Sequence, residues 1–264
     1  MMRGCILLIA ITICITGCQK GNEELAIFNE IAEITNENVN QSKDIVIITD
    51  EQIEKIANDH NYYLSMIISN FNIYSDNYVE DIIRCVMEFD SISISKKNEI
   101  INEYKNGGIA YSINDIYEEL KNSDLAHKKL IEQYIIRIEN IINNDTIQYF
   151  QIQNSLDNIF FSSSLEHREL VFLKTLIETA KKSSYFWLPA SRGGSNEGYT
   201  FLKKISHKQK TVTKFADIVL ADMSSASISF LCCWWTMVNP GSLIGVGIGS
   251  AMASALAAIT DNVL

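Results

Sequence analysis

The stretch LIEQYIIRIENII, residues 130–142, sets Leu130, Ile131, Tyr134, Ile135, Ile138, Ile141 and Ile142 on the three-and-four spacing of one helix face. Lys128, Lys129, Glu132, Arg137 and Glu139 fall on the opposite face, where water can solvate them. The same phase resumes at Tyr149, Ile152, Leu156 and Ile159. Between the two runs lie Asn143, Asn144 and Asp145, all weak helix formers. The spacing therefore predicts either one long kinked helix or two helices in line.

The pattern extends in both directions. Ile53, Ile56, His60, Leu64, Ile67 and Phe71 step by three and four, with Asp50 or Thr49 as the N-cap. Tyr78, Ile82, Val86 and Phe89 predict a second helix, starting near Ser75 or Asp76. Residues 95–104 and 112–120 read as short helices around a turn at Gly107 and Gly108. Leu170, Leu173, Leu176, Ile177 and Ala180 predict an amphipathic helix after the cap region Ser162, Ser163 and Ser164. Pro189 and Pro240 are the chain's 2 prolines, which also favours helices. One plausible strand, DIVIIT at residues 44–49, has no partner. The expected fold class is all-α, a helical bundle over residues 25–185 followed by a C-terminal apolar helical hairpin over 213–264.

Between these parts, residues 186–212 change character. Pro189, Gly193, Gly194 and Gly198 mark a loop, and Lys203, Lys204, Lys208 and Lys210 form a basic patch. This stretch is expected to be a linker. Beyond it, residues 223–260 contain no charged side chain, and Asn239, Pro240 and Gly241 divide the run into two helical lengths. In the second, Gly241, Gly245, Gly249, Ala253 and Ala257 stand four apart and share one helix face, where another helix can approach closely. This glycine zipper resembles those of membrane-active peptides and small bacterial envelope lipoproteins. Three readings stay open. The hairpin inserts in a bilayer, forms the core of a helical domain, or pairs with a second copy. Ser224, Ser225, Ser227 and Ser229 dilute the first span, and the lysine-rich flank would lie on the non-cytoplasmic side, against the usual bias.

The N-terminus carries an address. Met1, Met2 and Arg3 make a short positive start, residues 4–15 are an apolar run, and Thr16-Gly17 precede Cys18. Positive start, apolar run and small-residue site are the parts of a secretory signal, and the run is too short to span comfortably. Ile15-Thr16-Gly17-Cys18 resembles the lipobox of bacterial lipoproteins. The resemblance implies cleavage after residue 17, a diacylglycerol thioether on Cys18 and usually an acyl chain, such as palmitate, on its amine. Two or more chains anchor stably where one does not. Residues 18–24 then form a polar tether, and Gln19-Lys20-Gly21-Asn22-Glu23-Glu24 is similar to the acidic tethers of Bacteroidetes-type surface lipoproteins. The alternative is an ordinary secretory signal with an incidental cysteine.

Composition narrows the function classes. The 264 residues carry a net charge of −10, and the mature chain without Arg3 is one unit more acidic. Such a chain repels phosphate backbones, so no nucleic-acid partner is expected. Of six cysteines, Cys5 and Cys14 leave with the signal and Cys18 carries lipid. Cys85, Cys232 and Cys233 are too few and too badly placed for a disulfide framework. His60, His127, His167 and His207 lack the paired spacing of a zinc protease, and His60 reads as a core histidine. Gly193 to Gly198 has the step of a phosphate loop, but Tyr199-Thr200 replace the required Lys-Ser/Thr. No Gly-x-Ser-x-Gly elbow occurs. Tyr185, Phe186 and Trp187 suit either packing or an interfacial belt.

No catalytic residue, metal ligand or cofactor is therefore expected. The sequence reads as a lipid-anchored envelope protein of non-enzymatic role. It is held to its membrane by Cys18, with or without the hairpin, and self-association is open. The alternative is a secreted membrane-active toxin or bacteriocin-like protein whose hairpin inserts; an enzyme comes third.

Overall fold

The computed structural model describes residues 47–74, 77–89, 94, 112–144, 146–206, 214–233 and 240–259. The signal, Cys18, the tether and most of residues 90–111 lie outside them. The architecture is all-α, and among the described residues there is no strand. Residues 47–49 of the expected strand lead straight into the first helix, and 44–46 lie outside the described residues.

Helix α1 spans Asp50–Asn70. Thr49 caps it. Its hydroxyl accepts from Gln52 N at 3.2 Å and its N–H donates to Gln52 Oε1 at 2.9 Å, so two orphan donors are satisfied together. Asp50 and Glu51 in the first turn suit the positive end of the helix dipole. Ile53, Ile56, His60, Leu64, Ile67 and Phe71 are all buried, as the spacing predicts. Helix α2, Tyr78–Met87, starts at Asn77, whose side chain accepts from Glu80 N. Ser75 and Asp76 lie outside the described residues. Helix α3 is Ile113–Asn122, and Asp115 accepts from Ser112 N at 2.8 Å.

The 130–142 stripe forms α4, Lys128–Ile142, and its continuation forms α5, Tyr149–Asp157. The chain breaks between them, because Gln148 starts a new helix by accepting its cap from Gln151 and donating back to it. The two helices pack on each other and both pack on α6, His167–Trp187.

Residues 186–206 of the expected linker form packed, partly helical structure, and 207–212 lie outside the described residues. Trp187 ends α6 fully buried, a short 3-10 turn covers Ala190–Arg192, and α7 spans Glu197–Ser206. Phe201, Leu202 and Ile205 of α7 are buried, a helical spacing that the neighbouring glycines and lysines mask. Gly193 takes a left-handed φ of 83° to cap the turn. At position 198 a Cβ would sit 2.3 Å from the Trp187 ring, so only glycine lets α7 lie on that indole.

Helices α8, Phe215–Cys233, and α9, Pro240–Ile259, form the apolar hairpin. Ser250 of α9 reaches the backbone carbonyl of Asp222 in α8 at 3.1 Å, and the two positions lie nearly equidistant from the connection, as antiparallel pairing requires. The hairpin does not follow the bundle as a separate layer. Contacts run from α1 to α9, α9 to α8, α8 to α6 and α6 back to α1, closing a ring of four helices. The remaining helices pack outside that ring. Apart from Gly249, residues 246–259 of α9 are all buried.

Among the described glycines of α9, the close approach to α1 is made at Gly247. A Cβ on Gly247 would lie 2.9 Å from Asp59 Cβ and 3.3 Å from His60 N. Gly247, one step off the zipper face, therefore sets the distance between α9 and α1. Gly249 meets nothing within 4 Å and is half-buried, whereas Ala253 and Ala257 are buried. Gly241 and Gly245 belong to α9, but their surroundings lie outside the described residues. Gly249→Ala should stabilise the bundle by about 0.5–1 kcal/mol, since alanine gains helix propensity and finds room. A lower urea midpoint for this variant would show that position 249 is packed after all.

Candidate functional site

Four helices bring polar side chains to one fully enclosed point. His60 comes from α1, Ser183 and Trp187 from α6, Asp222 from α8 and Ser250 from α9. Each is 0–1% exposed. Asp222 is the hub. Its Oδ2 accepts from Ser183 Oγ at 2.5 Å and from Trp187 Nε1 at 3.3 Å, and His60 Nε2 lies 3.5 Å away. Oδ1 of the same carboxylate has no hydrogen-bond partner. On the other side of the imidazole, His60 Nδ1 lies 2.9 Å from Asn61 Oδ1. The Asn61 amide is oriented by donating to Lys182 O at 2.8 Å. At 3.5 Å from Asp222, His60 Nε2 makes no hydrogen bond.

Seen beside one another, Ser183, His60 and Asp222 are the residue types of a hydrolytic triad, but the geometry is not. A nucleophilic serine needs its hydroxyl on the imidazole, whereas Ser183 donates to the carboxylate. All three side chains are enclosed. The arrangement instead joins side chains of α1, α6, α8 and α9 around Asp222 in the interior.

A second buried carboxylate, Glu169, fixes the start of α6 to the start of α4. It accepts from His127 N at 2.7 Å, His127 Nδ1 at 2.8 Å and Glu166 N at 2.9 Å. Burial by itself pushes the Glu169 carboxyl up. The N–H groups of Glu166 and His127, with the imidazole, outweigh that and hold it below its ordinary value.

A cleft of about 540 Å³ runs between α1, α5 and α6. Its lysines are already paired: Lys174 with Asp50 at 2.6 Å, Lys182 with Glu54 at 3.3 Å, and Lys181 with Glu178 at 2.5 Å and Asp157 at 2.8 Å. Burial lowers the Lys181 ammonium, but the two carboxylates outweigh it and raise its pKa. These pairs tie α6 to α1 and α5, and half-exposed pairs of this kind contribute little individually.

Among the described residues, no group of three His, Cys, Asp or Glu is placed to hold a metal ion. Nor, among them, is any helix long and apolar enough to cross a membrane. The Cys85 thiol is pushed up to about 11, chiefly by burial, which makes it a poor nucleophile. Cys18 lies outside the described residues; Cys232 and Cys233 fall in the last turn of α8 with their side chains outside them.

Sequence reading missed Asp222 and Glu169. The signal for Asp222 was its place as the last charge before the uncharged 223–260 run. His60 carried the matching signal, a polar residue on an otherwise apolar face. They lie far apart in the sequence, so no local pattern joins them. No family model, no curated protein and no solved structure compared with this chain matches it.

Proposed function

We propose that the chain is a lipid-anchored protein of the bacterial cell envelope, periplasmic or surface-exposed, with a structural or binding role rather than an enzymatic one. The observation that carries this is Ile15-Thr16-Gly17-Cys18, ending an apolar run that begins after Arg3. The fold is compatible with it. α9 packs against α1, α2 and α8, and its residues 246–259, Gly249 apart, are buried within the bundle. On this reading Cys18 is the attachment, and the acidic domain stands off the membrane on its tether.

Metabolic labelling with an alkyne palmitate, followed by carbonate extraction, tests it. The wild-type chain should be labelled and remain with the membrane pellet. Cys18→Ser should lose the label and appear in the supernatant. A Cys18→Ser chain that stays carbonate-resistant would show that something other than the lipid holds it.

A second reading, a membrane-active protein whose hairpin inserts, is favoured by one feature of the hairpin. Several of its buried polar groups are satisfied within the hairpin itself. Ser224 donates to Leu220 O and Ser227 to Met223 O, both at 2.6 Å, and Ser250 donates to Asp222 O. Such bonds survive transfer to lipid, where unsatisfied groups are costly.

A further inference from the structure

We propose that the Asp222 hub is a latch that keeps the α8–α9 hairpin inside the bundle, and that opening it delivers the hairpin to a phospholipid bilayer. The proposal rests on the second reading above. Three observations carry it. First, Asp222 of the hairpin gathers side chains from two other helices: Ser183 and Trp187 donate to it, and His60 faces it. Second, Ser224, Ser227 and Ser250 bond within the hairpin, so departure leaves those three satisfied. Third, the latch is a poor device for stability alone. One carboxylate oxygen is buried without a partner, and a hydrophobic core would hold the helices as well or better.

Residues 223–260 are uncharged, and the α9 backbone runs from Pro240 to Ile259, about 30 Å at helical rise. The ionisable groups at the latch are Asp222 and His60, with Asp59 next along α1 held by Lys55 at 2.7 Å. Ser183, Trp187 and Ser250 complete it without ionising.

The test uses the full chain carrying Cys18→Ser, so that lipid does not mask insertion. It is mixed with phosphatidylglycerol/phosphatidylethanolamine vesicles loaded with calcein, across a urea series. Insertion is read as dye release together with carbonate-resistant recovery. The parent should insert once urea loosens the bundle. His60→Leu strands the buried carboxylate and should lower the urea needed by about 1 M. His60→Leu/Asp222→Asn removes the stranded charge and should bring the threshold back to the parent's. Insertion with a threshold that His60→Leu does not move, or that the double variant does not restore, overturns the latch and leaves the membrane reading standing. No insertion by any chain at any urea concentration overturns both. If His60→Leu lacks the parent's helical circular dichroism without urea, Ser183→Ala, which removes one donor only, is read against the same criteria.

Discussion

Gly247→Leu is expected to lower the thermal midpoint of the bundle by about 6–12 °C, corresponding to about 3 kcal/mol for a chain of this size. The atoms in the way explain the size. A Cβ at 247 already falls within 3.4 Å of Asp59 Cβ, His60 N and Asp59 C. Two of those three are backbone, and the third is the first atom of a side chain, so no flexible tip can swing aside. Helix α9 must move off α1, and the displaced region includes His60, which faces Asp222. Gly247→Ala should show the same sign at smaller size, because gained helix propensity offsets part of the clash. Calorimetry of both variants beside Gly249→Ala reads the result. Destabilisation at 249 with tolerance at 247 would mean that the zipper face, not the 247 face, meets α1.

The second large effect is expected at Glu169. Glu169→Gln should cost about 2–3 kcal/mol, because three donors lose a charged acceptor at a fully buried side chain. The direction with pH follows from the lowered pKa. Unfolded, Glu169 titrates near its ordinary 4.5; folded, it titrates lower. Its contribution is therefore fully present above about pH 4.5 and is lost as pH falls through the folded value. Urea midpoints of the wild type should drop through this acid window, and those of Glu169→Gln should drop less. Equal acid slopes in the two proteins would remove Glu169 as the linked group. His127 takes part at the other end of the pair, so His127→Ala should also flatten the slope while leaving the α6 cap from Glu166 in place.

Much of the fold was legible because helix faces are local. Ile131, Ile135, Ile138 and Ile142 fall on one side of α4 whatever they pack against, and all four are buried. The same holds for α1 from Ile53 to Phe71, and Thr49 with Gln52 states its own helix start within four residues. α7 was missed for an equally local reason. Phe201, Leu202 and Ile205 give only one and a half turns of pattern between glycines and lysines, and it is the Trp187 indole lying against Gly198 that supports the helix.

What the sequence alone determined is an all-α chain, the buried face of most of its helices, an uncharged 223–260 run and a lipobox-like start ending at Cys18. These depend on spacing within a turn or two, or on composition. What only the tertiary structure decided is where the apolar hairpin goes, which glycine admits a neighbour, and what faces the lone buried charges. The zipper identifies a face able to pack closely but contains no information about the direction of the partner. Helix α1 arrives on the Gly247 side, so that glycine became the contact. Asp222 and His60 are likewise legible singly as oddities. Their meeting depends on ring closure by α1, α6, α8 and α9, which is long-range packing and has no signature in any local window.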